Sequence, residues 1–365
     1  MKESKIFEIP ELFPSFNRQE NIYTYGIGNS YPDIIEQLAL QSVTATASLE
    51  TAKSVFGKPL GKWAEMKVNR TDTLADIVRQ LAEQIIIFRA FTLHVNYNGA
   101  GEVTDMHVIP FRKVRLGKMD DDGNIVKAYV KDWDTDAKPY GVHLFNPDLV
   151  KEQILSEQFN GQLLYWKADG NKWLYPLSRL HSVIYDMDAE AQASKFKRNS
   201  LRNGFFGKTV FITPPFDNGT LSEQERAMAI SRREQFRDAL RKFFGAENVD
   251  AVMHIEADSE LDDLDKALII KKIETDINDQ LFAYTEKSAR QNIMAAFKNI
   301  PELLIRNTDG SLFGVGGETI REAWRFYASQ WDNERQALTG VLRKILSLWA
   351  YDIDDLETFE IVANI

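Results

Sequence analysis

The chain has 365 residues, of which 44% are hydrophobic and 27% are charged, and its formal net charge is −10. This composition excludes a disordered protein, and the lack of an apolar run of roughly 18 residues argues against a membrane-spanning helix. No cysteine is present, which excludes disulfides, thiolate metal sites and a cysteine nucleophile. The acidic balance argues against a sequence-specific reader of duplex DNA, because such proteins carry strongly basic surfaces.

The first residues of the chain, MKESKIFEIPELF, lack the apolar core of a secretory signal peptide. Together with the absence of cysteine, this start predicts a cytoplasmic protein with no membrane partner. The chain contains no internal repeat and no low-complexity tract, so a folded protein is expected throughout.

The first half of the chain alternates helical and β-rich segments. Apolar residues at helical spacing predict a helix over 30–56, and Thr73 with Asp76 has the spacing of a capping box that opens a second helix. The β-rich runs that follow are interrupted by Asn98-Gly99 and Asp122-Gly123, which are typical of hairpin turns.

Two further signals complete this half, which extends to about residue 188. Asn146 followed by Pro147 predicts the start of a short helix, because these residues are favoured at the cap and at the first helical position. Asp169-Gly170 predicts another hairpin between two β-rich runs. The first half is therefore expected to be a mixed α+β body.

The second half begins with a helix predicted over 188–206. The segment KTVFITPPF then predicts a short strand, and Thr220 with Glu223 has capping-box spacing at the start of a helix that Gly245 would stop. The segment VDAVMHIE predicts a second strand.

Two long helices are predicted after these strands. An apolar stripe over 263–299 predicts a helix roughly 55 Å long, at about 1.5 Å per residue. Ile300-Pro301 should end it at about Asn299, because proline removes a backbone donor and disfavours helix in the residue before it. Pro301→Ala should then let the helix continue. After a glycine-rich break, a helical pattern resumes at Gly317 and runs to about Ala350.

Signatures of catalysis and metal binding are missing from the sequence. No two of the five histidines have the i, i+4 spacing of a helical metal site, and no GxSxG elbow is present. The GVGG stretch at 314–317 lacks the lysine of a phosphate loop. The acidic run MDDDGN at 119–124 lacks the spacing of a calcium loop, which favours a solvated hairpin turn. The sequence therefore predicts no enzyme activity, no cofactor and no bound metal.

One face of the helix predicted at 221–244 carries four arginines, namely Arg226, Arg233, Arg237 and Arg241. A solvated face is the plainer interpretation, because acidic residues lie nearby, and a docking surface for an acidic partner is the alternative. The last residues, YDIDDLETFEIVANI, carry acidic residues and no basic one, and they predict an exposed acidic tail.

The order of elements in 188–350 resembles that of the portal, or head–tail connector, proteins of tailed bacteriophages. The stretches that carry this resemblance are RNGFFGKTVFITPP, the helical segment that ends in NIPELLI, and GETIREAWRFYASQWDNERQALTGVL. Upstream, RAFTLHVNYNGAGEVTDMHVIPFRKVRL is similar to the wing segment of that family. The resemblance covers about residues 30–350. The chain departs from the family pattern in its short helix before RNGFF and in the short stretch left for a crown.

The resemblance implies an α+β, portal-like fold and assigns each range of the chain to a part of a portal protein. The parts are a mixed α/β wing over 1–188, a first stem helix over 189–206, a small α/β clip over 207–262, a second stem helix over 263–300, a tunnel loop and long tunnel-side wing helix over 301–350, and a short acidic tail over 351–365 as a reduced crown.

The resemblance also implies a non-enzymatic ring, typically of twelve copies, at one capsid vertex of a virion assembled in the bacterial cytoplasm. Such a ring is a conduit for DNA packaging and ejection. Its expected partners are the major capsid protein, the terminase large subunit, a head-completion or tail adaptor protein, and double-stranded DNA. Twelve copies at −10 each would carry about −120, a charge that repels phosphates at short range.

Six residues are candidates for contact with DNA in such a channel: Lys271, Lys272, Lys287, Arg290, Arg306 and Asn307. For each basic residue among them, a salt bridge within or between chains is the alternative. The four arginines at 226–241 are the candidates for docking of a partner on the clip. Two other interpretations stay open, a phage-derived nucleic-acid-processing enzyme with an unrecognised site and a non-viral oligomeric scaffold.

Overall fold

The structure is a computed structural model that describes residues 14–156, 159–168, 174–202, 209–213, 222–244, 252–256, 269–272, 279–305 and 317–364. The chain divides into two units, Met1–Ala191 together with Ser288–Ile365, and Gln192–Lys287. Both units contain helices and strands, so the predicted α+β class is confirmed.

The helices of the described residues are α1 (Tyr31–Gln41), α2 (Val43–Phe56), α3 (Leu74–Phe88), α4 (Val150–Ile154), α5 (Ile184–Arg202), α6 (Glu223–Phe244), α7 (Asp279–Ala296), α8 (Glu302–Ile305), α9 (Gly317–Ser329) and α10 (Asp332–Leu346). The strands are β1 (Phe16–Asn17), β2 (Ile22–Tyr23), β3 (Lys58–Pro59), β4 (Ala90–Tyr97), β5 (Val103–Val108), β6 (Val114–Leu116), β7 (Lys127–Val130), β8 (Tyr140–Leu144), β9 (Gln162–Lys167), β10 (Thr209–Thr213), β11 (Val252–Glu256), β12 (Ile269–Lys272) and β13 (Ile361–Val362). None of these helices is long and apolar enough to cross a membrane.

A six-stranded sheet organises the first unit. Its strands are hydrogen-bonded in the order β5-β4-β9-β8-β7-β6, so β5 and β6 form its two edges. Neighbouring strands are antiparallel, except that β8 and β9 are parallel. Leu81, Ile85 and Phe88 of α3 are buried in the core that also contains Phe91 and Leu93 of β4. Burying a side chain of this size contributes about 1.5 to 3 kcal/mol, so this layer is a main source of stability.

The helix predicted over 30–56 is in fact two helices, which separate at Ser42. The backbone of Ser42 is extended, and its hydroxyl accepts a hydrogen bond from the Ala45 amide at 3.0 Å, so Ser42 caps α2 instead of continuing α1. The capping box at the start of α3 is confirmed. The Thr73 hydroxyl accepts from the Asp76 amide, and the Asp76 carboxylate accepts from the Thr73 amide.

Two of the three predicted hairpin turns are confirmed. Asn98-Gly99 lies in the turn between β4 and β5, and Asp122-Gly123 closes a hairpin that extends β6 and β7. The hairpin predicted around Asp169-Gly170 lies outside the described residues. The short helical segment after Asn146 is confirmed, and the Asn146 side chain accepts from the Asp148 amide at its start.

The second unit contains a three-stranded sheet in the order β11-β10-β12. Strands β10 and β11 are parallel and are joined through α6, as parallel strands require a crossover connection. Helix α6 begins at Glu223, and Ser222 pairs with Glu225 at its start. The Ser222 amide and hydroxyl both donate to the Glu225 carboxylate, at 2.9 and 2.7 Å. Thr220 lies outside the described residues.

The continuous helix predicted over 263–299 is wrong in its first part. Ile269–Lys272 form β12, which pairs with β10 in antiparallel register, and α7 begins only at Asp279. The edge of β10 supplies hydrogen-bond partners to this segment, and its first two residues are β-branched, which favours a strand there. The helix predicted over 317–350 is also divided, into α9 and α10, at Gln330 and Trp331. The helix predicted over 188–206 is observed as α5, which begins earlier, at Ile184.

Helix α7 ends at Ala296, before the predicted stop near Asn299. Lys298 and Asn299 have φ angles of 61° and 52°, so the chain leaves the right-handed helix at two consecutive left-handed residues. The amide of Ile300 donates back to the Met294 carbonyl at 3.3 Å, as in a helix C-cap. The chain therefore reverses before Pro301 is reached, and the proline carbonyl instead accepts from the Leu304 amide in the turn of α8.

Candidate conduit and docking surfaces

Four of the six predicted channel residues lie on described elements, namely strand β12 and helix α7. Lys271 and Lys272 end strand β12 and are not helical, which corrects the predicted stem position of both. Lys287 lies on α7 and is exposed, and Arg290 lies on the same helix and is half-buried. Arg306 and Asn307 lie outside the described residues. Contact of these side chains with DNA stays a prediction.

Arg290 lines a groove of the first unit between α2, α5, α7 and α8. Glu190 and Glu302 line the same groove, together with apolar Val43 and Met294. Within the described part of the chain, the Arg290 guanidinium makes no ion pair. Because two carboxylates lie nearby, the local potential is less favourable for a phosphate than the sequence position alone suggests. Contact of Arg290 with DNA therefore stays a prediction, and the nearby carboxylates count against it.

Glu190 joins helix α5 to the start of helix α2. Its carboxylate accepts hydrogen bonds from the Ser42 hydroxyl and from the amide and hydroxyl of Thr44, the last two at 3.2 and 2.6 Å. A carboxylate is stabilised at a helix N-terminus by free amides and by the positive end of the helix dipole. This contact fixes the first turns of α5 within the first unit.

Helix α5 carries a basic cluster that was not among the predicted channel residues. Lys195, Lys197 and Arg198 are all exposed, and Lys197 forms an ion pair with Glu286 of α7. This pair shows that α5 and α7 lie side by side at this point of the second unit. Tyr284 of α7 is also 71% exposed. Three cations within four residues, KFKR, are the sequence signal that could have identified this cluster.

The arginine face of α6 includes an exposed apolar side chain. Arg226 is exposed and Arg233 is half-buried, and both make contacts within the chain. Ile230 lies four residues after Arg226 and three before Arg233, hence on the same face, and it is 50% exposed. Arg237 and Arg241 follow at helical spacing on α6, with side chains outside the described part. A single exposed apolar side chain is normal on a protein surface, so docking of a partner on this face stays a prediction.

The end of α7 is held in the first unit by a cluster of charged side chains around Trp331. The Glu334 carboxylate forms ion pairs with Lys298 at 2.7 Å and with Arg179 at 3.3 Å. The guanidinium carbon of Arg179 lies 5.2 Å from the centre of the Trp331 ring, within the range of a cation–π contact. Burial lowers the pKa of the Lys298 ammonium group, and Glu334 opposes this effect. The cluster therefore connects the end of α7 to the break between α9 and α10.

The buried Arg115 has a structural role in the first unit, because its donors are bound by backbone carbonyls. Its guanidinium donates to the carbonyls of Asn29, Arg112 and Val114 at 2.7 to 2.9 Å, and it lies 5.2 Å from the centre of the Trp133 ring. Burial lowers the pKa of this group. The hydrogen bonds hold the loop before α1 against β6, as expected for a buried charge whose donors must be satisfied. Across the described residues, no group of three or more His, Asp or Glu side chains could hold a metal ion.

Comparison with known proteins gives similarity in fold without similarity in sequence. No family model matches the chain, and no curated protein sequence matches it. A chain from the neck of a native gene transfer agent particle, computed with C12 symmetry, is similar with a TM-score of 0.54 at 16% identity. The similarity covers 96% of this chain and 86% of that one.

A chain from the virion of a native gene transfer agent particle is similar with a TM-score of 0.53 at 16% identity, over 90% of this chain and 85% of that one. A portal protein of the HK97 phage family from Corynebacterium diphtheriae gives a TM-score of 0.38 at 10% identity, over 78% and 81% of the two chains, and nothing is inferred from it. The first two similarities confirm, at the level of the fold, the resemblance that the sequence indicates.

Proposed function

We propose that this chain is a portal protein, which assembles into a ring at one vertex of a capsid and lets DNA pass through its centre. The observation that carries the proposal is the similarity in fold, over 96% of this chain, to a chain from a particle neck computed with C12 symmetry. The C12 symmetry of that particle supports a ring of twelve copies for this chain. The ring resides in the virion and is assembled in the bacterial cytoplasm, and the chain has no enzymatic role.

The proposal includes a division of the chain into portal parts, with bounds that we take from the helices and strands. The wing is residues 1–188, and α5 is the first stem helix. The clip extends from 207 through β12, because β12 completes the sheet of β10 and β11. Helix α7 is the second stem helix, residues 301–350 include the tunnel loop and the wing helices α9 and α10, and residues 351–365 are the tail.

Charge explains how such a ring passes DNA without holding it. Tight binding of DNA comes from many contacts between basic side chains and phosphates, with release of counterions. This chain has a net charge of −10, and the exposed cations among the described side chains of its proposed stem helices are few: Lys195, Lys197, Arg198 and Lys287. These cations supply weak contacts that are independent of base sequence, and the overall negative charge limits their strength.

The partners of the ring follow from its place in the particle. The wing contacts the major capsid protein. The clip, with the arginine face of α6, contacts first the large subunit of the terminase and later a head-completion or tail adaptor protein. An acidic partner surface is expected at α6, because Arg226, Arg233, Arg237 and Arg241 share one face of the helix.

Imaging of the purified protein tests the proposal. Negative-stain electron microscopy together with mass photometry should show closed rings of about twelve subunits with a central hole wide enough for a DNA duplex, which is roughly 20 Å across. Assembly should be followed over a range of protein concentrations, since ring formation is a mass-action equilibrium. A chain that stays monomeric or dimeric at every concentration and on co-expression with its capsid protein would contradict the proposal, as would particles without a central passage.

A further inference from the structure

A cavity of about 750 Å³ opens beside the β5 edge of the six-stranded sheet. It is bordered by the loop between β3 and α3, by one face of β4 and β5, and by the segment after α10. Its lining residues with charge or aromatic character are Lys67, Arg70, Asp105, His107, Trp349 and Tyr351.

The two cations of this cavity have no partner within the described part of the chain. The side chains of Lys67 and Arg70 are exposed, and neither makes a hydrogen bond or an ion pair there. The one acidic residue of the lining, Asp105, is already occupied, since it accepts from Asn96 at 2.7 Å and contacts His107 at 2.9 Å. The cavity therefore offers an uncompensated positive charge to a ligand.

The loop that presents Arg70 is rigid. The Asn69 side-chain oxygen accepts from the amides of Thr71 and Asp72 at 2.8 and 2.7 Å. The Asn69 side-chain nitrogen donates to the Met106 carbonyl of β5 at 2.9 Å. Because these bonds hold the loop on the sheet, the backbone that carries Arg70 is fixed, and binding costs less conformational entropy than it would with a free loop.

An acidic surface lies on the hairpin at the opposite edge of the sheet. The turn 119–124 connects β6 to β7, and β6 is the edge strand farthest from β5. Asp120 accepts from the amides of Asp122 and Asn124 at 3.1 and 2.7 Å, which fixes the turn. The carboxylates of Asp121 and Asp122 are exposed and have no partner among the described residues.

We infer that the β5-edge cavity of one copy receives the Asp121-Asp122 turn of the next copy. Free cations and free carboxylates lie at opposite edges of one sheet, so the two surfaces of a single chain face away from each other. Two different surfaces that complement each other make a head-to-tail contact, and repetition of such a contact closes a ring when the rotation per copy allows it. Surface charge pairs supply register and specificity more than affinity, so this contact would orient neighbouring wings.

This inference rests on the proposed ring, and charge reversal tests it separately. A cavity variant, Lys67→Glu with Arg70→Glu, and a turn variant, Asp121→Lys with Asp122→Lys, should each need at least a tenfold higher protein concentration to form rings. Mixing the two variants should restore assembly, because in an alternating ring every turn meets a cavity of opposite charge. Mass photometry of each variant, of the mixture and of the wild type measures these concentrations.

Two matched variants serve as controls for the change in charge. Asp134→Lys with Asp136→Lys reverses two exposed carboxylates of the loop between β7 and β8, and Lys138→Glu with Lys151→Glu reverses two exposed cations of the same unit. Both should assemble as the wild type does. If a charge-reversed variant fails to fold, neutral variants replace it. These are Lys67→Ser with Arg70→Ser for the cavity and Asp121→Asn with Asp122→Asn for the turn. They should weaken assembly in the same direction by a smaller factor.

The possible results distinguish a failure of the proposed contact from a failure of the proposed ring. If wild-type rings form and the folded cavity and turn variants form them at the same concentration, the contact between cavity and turn is wrong and the proposed function stands. A mixture that fails to restore assembly would also overturn the contact. If the wild type forms no ring in any condition, the proposed function fails first.

Discussion

The Lys298 ammonium group lies 4.4 Å from the centre of the Trp331 ring, close enough for a cation–π contact. Lys298 follows the end of α7 in a left-handed backbone conformation, and Trp331 lies at the break between α9 and α10. Trp331 is fully buried, and Arg179 also contacts its ring. This relationship ties the end of the proposed stem helix to the proposed wing helices within one unit.

Replacing Lys298 should therefore loosen this junction. Lys298→Met keeps most of the aliphatic side chain but removes the ion pair with Glu334 and the cation–π contact. We expect a loss of about 1 to 2 kcal/mol in the free energy of unfolding, since Arg179 still pairs with Glu334. Urea unfolding followed by tryptophan fluorescence measures it. Asn299→Gly should change stability by less than about 0.5 kcal/mol, because glycine tolerates the left-handed conformation. Equal stability of the Lys298→Met variant and the wild type would show that the cluster contributes nothing.

Replacing Pro301 should leave the end of α7 where it is. The sequence suggested that Pro301→Ala lets the helix continue, but Lys298 and Asn299 already reverse the chain before the proline. We expect the amides of 298–300 to exchange with solvent at the same rate in Pro301→Ala as in the wild type, as measured by hydrogen exchange with mass spectrometry. Slower exchange across these residues would show that the proline is the true helix stop.

Stability should depend on pH through Glu36. Burial raises the pKa of its carboxyl to about 7, and Arg112, at 3.4 Å, opposes this effect. The ordinary value is 4.5, so the folded chain holds the proton more tightly than the unfolded chain does. Stability is then lost as the pH rises from about 4.5 to about 7. The Glu36→Gln variant lacks this titration and should gain stability relative to the wild type between pH 5 and pH 8.

Urea midpoints at pH 5 and pH 8 for the wild type and for Glu36→Gln measure this difference. Glu65→Gln, at an exposed position, is the matched control and should follow the wild type at both values. A difference between Glu36→Gln and the wild type that stays constant over this range would refute the assignment of the titration to Glu36.

The arginine face of α6 should matter for packaging and not for assembly. Reversing Arg233, Arg237 and Arg241 to glutamate places negative charge opposite an acidic partner, so rings should form normally while DNA packaging is lost. The measurements are negative-stain images of the rings and the amount of nuclease-protected DNA per particle. Reversal of exposed Lys118, Lys138 and Lys151, which changes the charge equally, should leave packaging intact. If the α6 variant packages DNA normally, the arginine face does not dock a partner and is only exposed to solvent.

Several elements were predictable from local sequence because local interactions decide them. The capping box at Thr73 and Asp76, the turn at Asn98-Gly99 and the cap at Asn146 each depend on hydrogen bonds within a few residues. Such signals need no distant partner, so they can be read from the chain alone. The candidate conduit was predictable only in part, since the run KFKR at 195–198 was visible but was not selected.

What the sequence by itself determined was the α+β class, the order of the elements and the resemblance that leads to a portal. Only the tertiary structure decided that Ile269–Lys272 form a strand, because the edge of β10 supplies its hydrogen bonds from a distant segment. It likewise decided that β9 lies between β4 and β8. It also decided that the last long helix is divided at Trp331, whose ring contacts Lys298. The physical reason is the same in each case. Apolar periodicity is satisfied by either a helix or a strand over short runs, and the choice falls to whichever partner the rest of the fold provides.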